Sequence, residues 1–414
     1  MTATPVLASR LEVPSARTRY TGGAIARTLV HRIVAGMPVR LRYPDGTDVG
    51  GGSCNAPVID VVRPDVMFRR LEHHPKIGLG EGYMAGDWAA APGTDLADAL
   101  TPFASRLADL LPKPLLALRG IVDRALPNHE RNTLPGSRAN IEAHYDLSND
   151  LFAAFLDPTM TYSSALFEAD RPFEEQDLAE AQHRKIDAIL DAAGVREGTR
   201  VLEIGTGWGE LALRAARRGA VVTSITLSAE QRALALDKLD AAGVLDRVEV
   251  RLQDYREVDG QFDAVVSVEM IEAVGEEFWP TYFATIDRVL APGGRAAIQA
   301  ILMSHDRFLA TRNSYGWIQK YIFPGGLIPS LTAIEDSTTR HTGLRVCGVH
   351  SFGEHYAHTL RRWRETFTQQ WPQINAQGFD GTFRRMWEFY LAYCEAGFRS
   401  GYLDVAQITL ERPA

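Results

Sequence analysis

The sequence predicts an α/β fold, a doubly wound parallel sheet covered by helices, preceded by a smaller N-terminal α+β domain. Three observations carry this. Short apolar runs alternate with helical patterns from residue 188 onwards, the βαβ order that buries a parallel sheet on both faces. The first of these runs, Val201-Leu-Glu-Ile-Gly-Thr-Gly-Trp-Gly209, ends in a glycine-rich turn and leads into a helix. Residues 24–111 have a different character and mix isolated strand and helix signals.

Taken in order, residues 1–20 read as a flexible arm. The N-terminal domain, 21–111, holds a helix at 24–35, a turn at Pro44-Asp45-Gly46, an apolar strand at 58–62 and a helix from 96 to 111. Residues 112–136 form a linker in which Leu115, Leu116, Leu118 and Ile121 alternate with Lys113, Arg119, Arg124 and Arg131. That pattern suits a basic amphipathic surface for anionic lipid, and equally an interdomain helix with a solvated face. The third unit, 137–414, has strands at 201–204, 221–226, 248–252, 262–268 and 295–302, with helices at 211–218 and 229–242.

The chain of 414 residues is too long for one compact core. Its net charge of −8 argues against nucleic acid as a partner, since phosphate binding favours a basic footprint. Cys54, Cys347 and Cys394 form no metal-binding spacing, so no metal is expected and the thiols suit a cytoplasm. The first twenty residues lack the apolar core of a signal peptide, and no run of about 18 apolar residues exists. The expected location is cytoplasmic, with membrane contact peripheral and at the inner face.

The glycine turn lets the backbone approach a ligand at the carboxyl end of a strand. Its GxGxG spacing, in place of GxGxxG, and Glu203 in the strand favour S-adenosylmethionine over a dinucleotide. Thr226 and Gln231, after the second strand, are candidates for the ribose; Ser228 and Gln231 also fit a helix capping box. Asp254, with Tyr255 beside it, follows the third strand, placed for an adenine amino group or as a plain turn carboxylate.

Further motifs are Asn140-Ile-Glu-Ala-His-Tyr-Asp-Leu-Ser-Asn-Asp150, Phe155-Leu-Asp-Pro-Thr-Met-Thr-Tyr-Ser163, Gln253-Asp-Tyr-Arg256, Ser267-Val-Glu-Met-Ile-Glu-Ala-Val-Gly275, Tyr321-Ile-Phe-Pro-Gly-Gly326 and His355-Tyr-Ala-His-Thr-Leu-Arg-Arg-Trp363. With the glycine turn, they resemble the cyclopropane-fatty-acid and mycolic-acid methyltransferase family over residues 137–400. Gly78-Leu-Gly-Glu-Gly-Tyr-Met-Ala-Gly-Asp-Trp88 resembles the N-terminal domain of the longer, phospholipid-acting members. Within the family the chain looks like the actinobacterial enzymes that make 10-methylene and 10-methyl chains such as tuberculostearic acid.

The resemblance implies a class I S-adenosylmethionine methyltransferase sheet, Rossmann-like, with helical lid and acyl-site insertions. It implies that Tyr162 and Ser163 hold the methionine end of the cofactor, that Gly205 and Gly207 pass under it, and that Thr226, Leu227 and Gln231 face the ribose and its surroundings. Residues 321–326 would belong to the acyl-chain region. Tyr145, Phe152 and Phe155 would cover the site or simply pack in a core. Tyr282, Trp317, Tyr321 and Tyr356 would offer aromatic faces to a developing cation. The substrate implied is an unsaturated phospholipid at the membrane surface, and a homodimer is a family-level expectation.

In the cyclopropane enzymes a bicarbonate, held by a cysteine, a glutamate, a histidine and a tyrosine, takes the departing proton. The matching positions here are Ser164, Glu272, Gln299 and Tyr356, and two of the four differ. Bicarbonate is therefore in doubt. Glu269 is an extra acid in the same loop. It reads as the replacement base, alone or with Glu272, or as a structural acid. Two carboxylates in an apolar site would raise at least one pKa. A changed base favours an exocyclic methylene product over a ring, with a separate reductase completing a 10-methyl chain. A cyclopropane synthase on the same lipid, a methyltransferase for a small metabolite and a non-catalytic lipid binder are the other readings.

Overall fold

The computed structural model describes residues 22–106 and 148–412, together with Val13, Asn132 and Thr133. The expected arm, most of the linker with its basic residues, and Tyr145 lie outside the described residues. The chain divides into two compact units. One takes in residues 1–126, 313–324 and 360–402; the other takes in 127–312, 325–359 and 403–414. The N-terminal segment thus shares its unit with two later stretches of chain.

In the first unit, strands β1 (Arg40–Arg42), β2 (Asp48–Val49), β3 (Val58–Val61) and β4 (Trp88–Ala90) form a sheet in the order β2-β1-β3-β4. The turn at Pro44-Asp45-Gly46 joins β1 to β2, closed by the Tyr43 N–H to Thr47 carbonyl contact of 2.8 Å. The helix read at 24–35 is Ala24–Val34, and the later one is Leu96–Ser105, capped by the Asp95 carboxylate. Two helices that periodicity did not announce, Pro64–His73 and Pro75–Ala85, abut at His74. The second carries the glycine-rich motif and has little amphipathic pattern because it is buried almost all round.

That motif is explained by packing. A Cβ at Gly80 would sit 2.5 Å from the Trp317 ring. Trp88, Tyr83, Phe389 and Trp317 form an aromatic cluster with ring spacings of 4.8 to 6.1 Å. Glu81 is buried and accepts from the Tyr321 hydroxyl at 2.8 Å and from Lys320 at 2.6 Å. Arg70, also buried, pairs with Asp87 at 2.8 Å and with Glu81 at 3.5 Å. Tyr321, expected beside the acyl chain, and Trp317, expected to offer an aromatic face to the cation, thus both meet residues of this unit.

The second unit is built on seven strands: β5 (Arg200–Ile204), β6 (Val221–Thr226), β7 (Val248–Leu252), β8 (Phe262–Val268), β9 (Leu290–Met303), β10 (Arg345–Ser351) and β11 (Leu403–Glu411). Their order is β10-β11-β9-β8-β5-β6-β7. Alternate residues feed opposite faces, as the two-residue period requires. Val201, Val222 and Val266 join one core with Ile186, Ile189 and Leu213, whereas Leu202, Ile225 and Val265 join the other with Phe283 and Ile286.

The expected parallel sheet spans β9 to β7, and two antiparallel pairings extend it. β11 runs antiparallel between β9 and β10. β10 is mostly exposed and polar, so it gave no apolar signal, and β11 follows a long helix, Gly381–Arg399, with no βα unit to announce it. The chain runs outward from β5 to β7 and then returns to place β8 on the other side of β5. This reversal opens a crevice at the carboxyl ends of β5 and β8, the place where open α/β sheets bind ligands.

Candidate active site

The crevice is formed by the glycine turn. Gly205, Gly207 and Gly209 have φ values of 99°, 52° and 87°, a region that favours glycine. The turn is held by the Ile225 carbonyl, which accepts from the N–H groups of Gly205 at 2.9 Å and Thr206 at 3.1 Å. A Cβ on Gly205 would also press on Met270 at 3.1 Å. Past Gly209 the helix Glu210–Arg217 begins, so the turn delivers a helix N-terminus to the cavity.

The cavity has an empty space of about 1070 Å³, its open mouth included. Tyr162, Ser163, Glu203, Gly205, Gly207, Thr226, Leu227, Gln231, Tyr255 and Glu269 all line it. Tyr162 is seated by Phe152 and Phe155, with ring spacings of 5.2 and 6.3 Å. Phe152 and Phe155 are fully packed, so of the two readings left open, lid or core, the core one describes them. The Thr226 hydroxyl donates to Gln231 Oε1 at 3.2 Å, while Ser228 caps its helix by accepting from the Gln231 N–H at 3.2 Å. The cap and a Gln231 side chain on the cavity therefore coexist.

Asp254 is a correction. It does not line the cavity: its carboxylate is taken by Arg256, at 2.8 and 2.7 Å, and by the Arg256 N–H at 3.0 Å. An arginine two residues on makes Asp254 a turn carboxylate. Gln253, its neighbour, lines the cavity instead. Lys185 and Met160, neither singled out in the sequence, also stand in the wall. Tyr282 is packed in the apolar core beside Tyr255, at 5.4 Å between rings.

Beside the cavity the sheet brings four of the expected catalytic positions together. Glu269 follows β8 with φ 50°, a left-handed conformation that costs a non-glycine residue about 1–2 kcal/mol. Its Oε1 accepts from the Ser164 N–H at 2.9 Å and from Gln299 Nε2 at 2.8 Å, and its Oε2 accepts from the Tyr356 hydroxyl at 2.7 Å. Gln299 is aimed by Gln407, whose Nε2 donates to Gln299 Oε1 at 3.2 Å. Ser164 takes part through its backbone, because its hydroxyl donates to the Ala165 carbonyl at 3.0 Å.

Glu272 stands apart from these donors. Its Oε1 accepts from the Ile301 N–H at 2.5 Å, and its buried Oε2 has no hydrogen-bond partner among the described residues. Burial pushes its carboxyl up to about 8, with the Glu269 charge adding to the effect. Burial likewise raises Glu269, against the pull of the Tyr356 hydroxyl, the Lys185 charge and its other donors. The carboxylate with more hydrogen-bond donors, here Glu269, is the one of such a pair that ionises. Glu203 is also raised to about 8 by burial, and accepts from the Ser224 hydroxyl at 2.5 Å.

The residues present fit a positively charged sulfonium cofactor. Glu269 faces the cavity with its carboxylate held by three donors, Lys185 is the only cation among the described lining residues, and the glycine turn leaves its backbone open. Ile204, Ile225, Leu227 and Val268 supply apolar wall on either side.

Residues 133–408 match the family model for mycolic acid cyclopropane synthetase. The chain is 53% identical over 404 residues to the tuberculostearic acid methyltransferase UfaA1 of Mycobacterium tuberculosis, covering 97% of this chain and 94% of that one. It is 36% identical to the cyclopropane-fatty-acyl-phospholipid synthase of Escherichia coli, covering 86% of this chain and 87% of that one. Among solved structures, the mycolic acid cyclopropane synthase CmaA1 complexed with SAH and CTAB aligns with a TM-score of 0.60 at 32% identity, over 66% of this chain and 97% of that one. With a glycine turn at the switch point of its sheet and this match across most of its length, the chain belongs to the mycolic acid cyclopropane synthetase family of S-adenosylmethionine-dependent methyltransferases.

Proposed function

We propose that this enzyme methylates the cis double bond of an unsaturated, oleoyl-type phospholipid acyl chain and releases a 10-methylene chain, the precursor of a 10-methyl fatty acid. S-adenosylmethionine, when bound, supplies a methyl group made electrophilic by its positively charged sulfur. Tyr162, Ser163, Gly205, Gly207, Thr226, Leu227 and Gln231 hold that cofactor; Glu203 and Tyr255 complete its wall. The protein's remaining tasks are to align the alkene, exclude water and take up one proton.

The observation that carries the reading is the Glu269 carboxylate. It is gripped by Ser164, Gln299 and Tyr356, the positions that match the bicarbonate ligands of the cyclopropane enzymes. A carboxylate built into the chain makes a bound bicarbonate unnecessary. Its three donors keep it anionic and aimed, and burial makes it a stronger base than a solvated carboxylate. Glu272 carries the proton that the pair cannot both release.

Reduction of the methylene group would fall to a separate reductase, since the sequence holds no second dinucleotide fingerprint. No helix among the described residues is long and apolar enough to cross a membrane. The enzyme would meet its lipid peripherally, at the inner face of the membrane, and as a homodimer. Incubated with S-adenosylmethionine and oleoyl phospholipid vesicles, the protein is expected to yield acyl chains heavier by one CH2. Unchanged vesicle lipid alongside methylation of a small amine or hydroxyl acceptor would contradict the proposal.

A further inference from the structure

Lys185 lies in the helix Leu178–Ala192, on the side turned to the sheet, and none of its surface is exposed. A lysine almost never occupies such a position without a task, because burying an ammonium is costly. Its Nζ donates to the Ser163 hydroxyl oxygen at 2.6 Å. The charges of Glu269, Asp157 and Glu203 favour the ammonium, against the burial that brings its pKa down to about 8. The backbone around it is fixed: Gln407 Nε2 donates to the Lys185 carbonyl at 2.9 Å, and Gln182 Nε2 donates to the Ser163 carbonyl at 2.9 Å.

The consequence lies in the hydroxyl. An ammonium has donors and no acceptor, whereas a hydroxyl has one proton and two lone pairs. With a lone pair taken by Lys185, the Ser163 proton must point elsewhere. Among the described residues the Ser163 hydroxyl makes only the bond it accepts, and Ser163 lines the cavity. A hydroxyl so arranged is a donor polarised by a cation behind it. It suits an anion and repels an ammonium.

We infer that Lys185 is a positioning residue that presents the Ser163 hydroxyl as a fixed donor to the carboxylate at the amino-acid end of the cofactor. The inference rests on the cofactor assignment above and extends it to the buried lysine that holds Ser163. It also gives the site a polarity: the carboxylate is drawn to Ser163, and the amino group is turned from it.

The test compares two ligands by calorimetry: S-adenosylhomocysteine, which carries the amino-acid end, and 5′-methylthioadenosine, which lacks it. In Lys185→Met and in Ser163→Ala, S-adenosylhomocysteine is expected to bind about ten- to hundredfold more weakly, the loss of one charge-assisted hydrogen bond. Binding of 5′-methylthioadenosine should stay within about twofold. The double variant should lose little more than either single one, because both act through one contact. Lys185→Gln keeps a donor without the charge; it should show an intermediate loss, and it stands in if Lys185→Met does not fold. Equal weakening of both ligands, or unchanged S-adenosylhomocysteine affinity in the lysine variants, would overturn the inference. A wild-type protein that binds 5′-methylthioadenosine but not S-adenosylhomocysteine would overturn it too, and one that binds neither would overturn the cofactor assignment beneath it.

Discussion

Replacing Glu269 by glutamine is expected to lower kcat by about a hundred- to ten-thousandfold, the usual worth of a positioned general base. Cofactor binding should survive, because the amide keeps the shape: its oxygen still accepts from Ser164 and Gln299, and its NH2, in place of Oε2, donates to the Tyr356 hydroxyl oxygen. Glu272→Gln should behave differently. Its carboxyl is raised to about 8 and its Oε2 has no donor among the described residues, which favours the protonated form near neutral pH. An amide imitates a protonated carboxyl, and kcat should change by less than about tenfold. The pH profile gives the same assignment independently. Burial raises Glu269, and a base works only when ionised. Activity should therefore fall as pH drops through the raised pKa, along a limb above the ordinary glutamate range, and Glu269→Gln should lack that limb. Equal losses in both variants would assign the proton to the pair, not to Glu269.

Arg70→Met should destabilise the N-terminal unit by about 3–5 kcal/mol, the cost of removing one partner from a buried ion-pair network. Arg70 lies between Asp87 at 2.8 Å and Glu81 at 3.5 Å, and each of the three is at most 4% exposed. A methionine fills the space but leaves two carboxylates without their shared cation, although Lys320 and Arg63 still reach them. Because Glu81 also accepts from Tyr321, the helix Trp317–Tyr321 should loosen with it. Urea unfolding should show the midpoint of the affected transition shifted down at similar slope. A shift of under about 1 kcal/mol would mean that the network is solvated and structurally unimportant.

The parts of this molecule legible in the sequence are those fixed by local chemistry. Glycines 205, 207 and 209 stand where the backbone must turn left-handed, and the two-residue period of β5 to β8 follows from a sheet buried on both faces. Glu269 and Glu272 could be noticed because two acids rarely share an apolar loop. What could not be read depends on partners distant in the chain. Lys185 sits among charged residues in an amphipathic helix, where a lysine ordinarily faces water; its helix instead packs on β9, with Gln407 of β11 bonded to the Lys185 carbonyl. Asp254 had the right position, but Arg256 claims it through a local geometry that no spacing rule separates from a ligand contact. The role of Gln299 was visible only as a departure from a histidine. Gln407, 108 residues later, turns its amide toward Glu269.

These particulars converge on one claim, that a carboxylate of the chain itself removes the proton and thereby sets the product. The most direct measurement is proton NMR of the fatty acids released after the purified enzyme has acted on oleoyl phospholipid vesicles with S-adenosylmethionine, in buffer stripped of bicarbonate. Exocyclic olefinic protons in a chain heavier by one CH2 are the predicted result. High-field ring protons, appearing only when bicarbonate is restored, would make the enzyme a cyclopropane synthase and contradict the role given to Glu269.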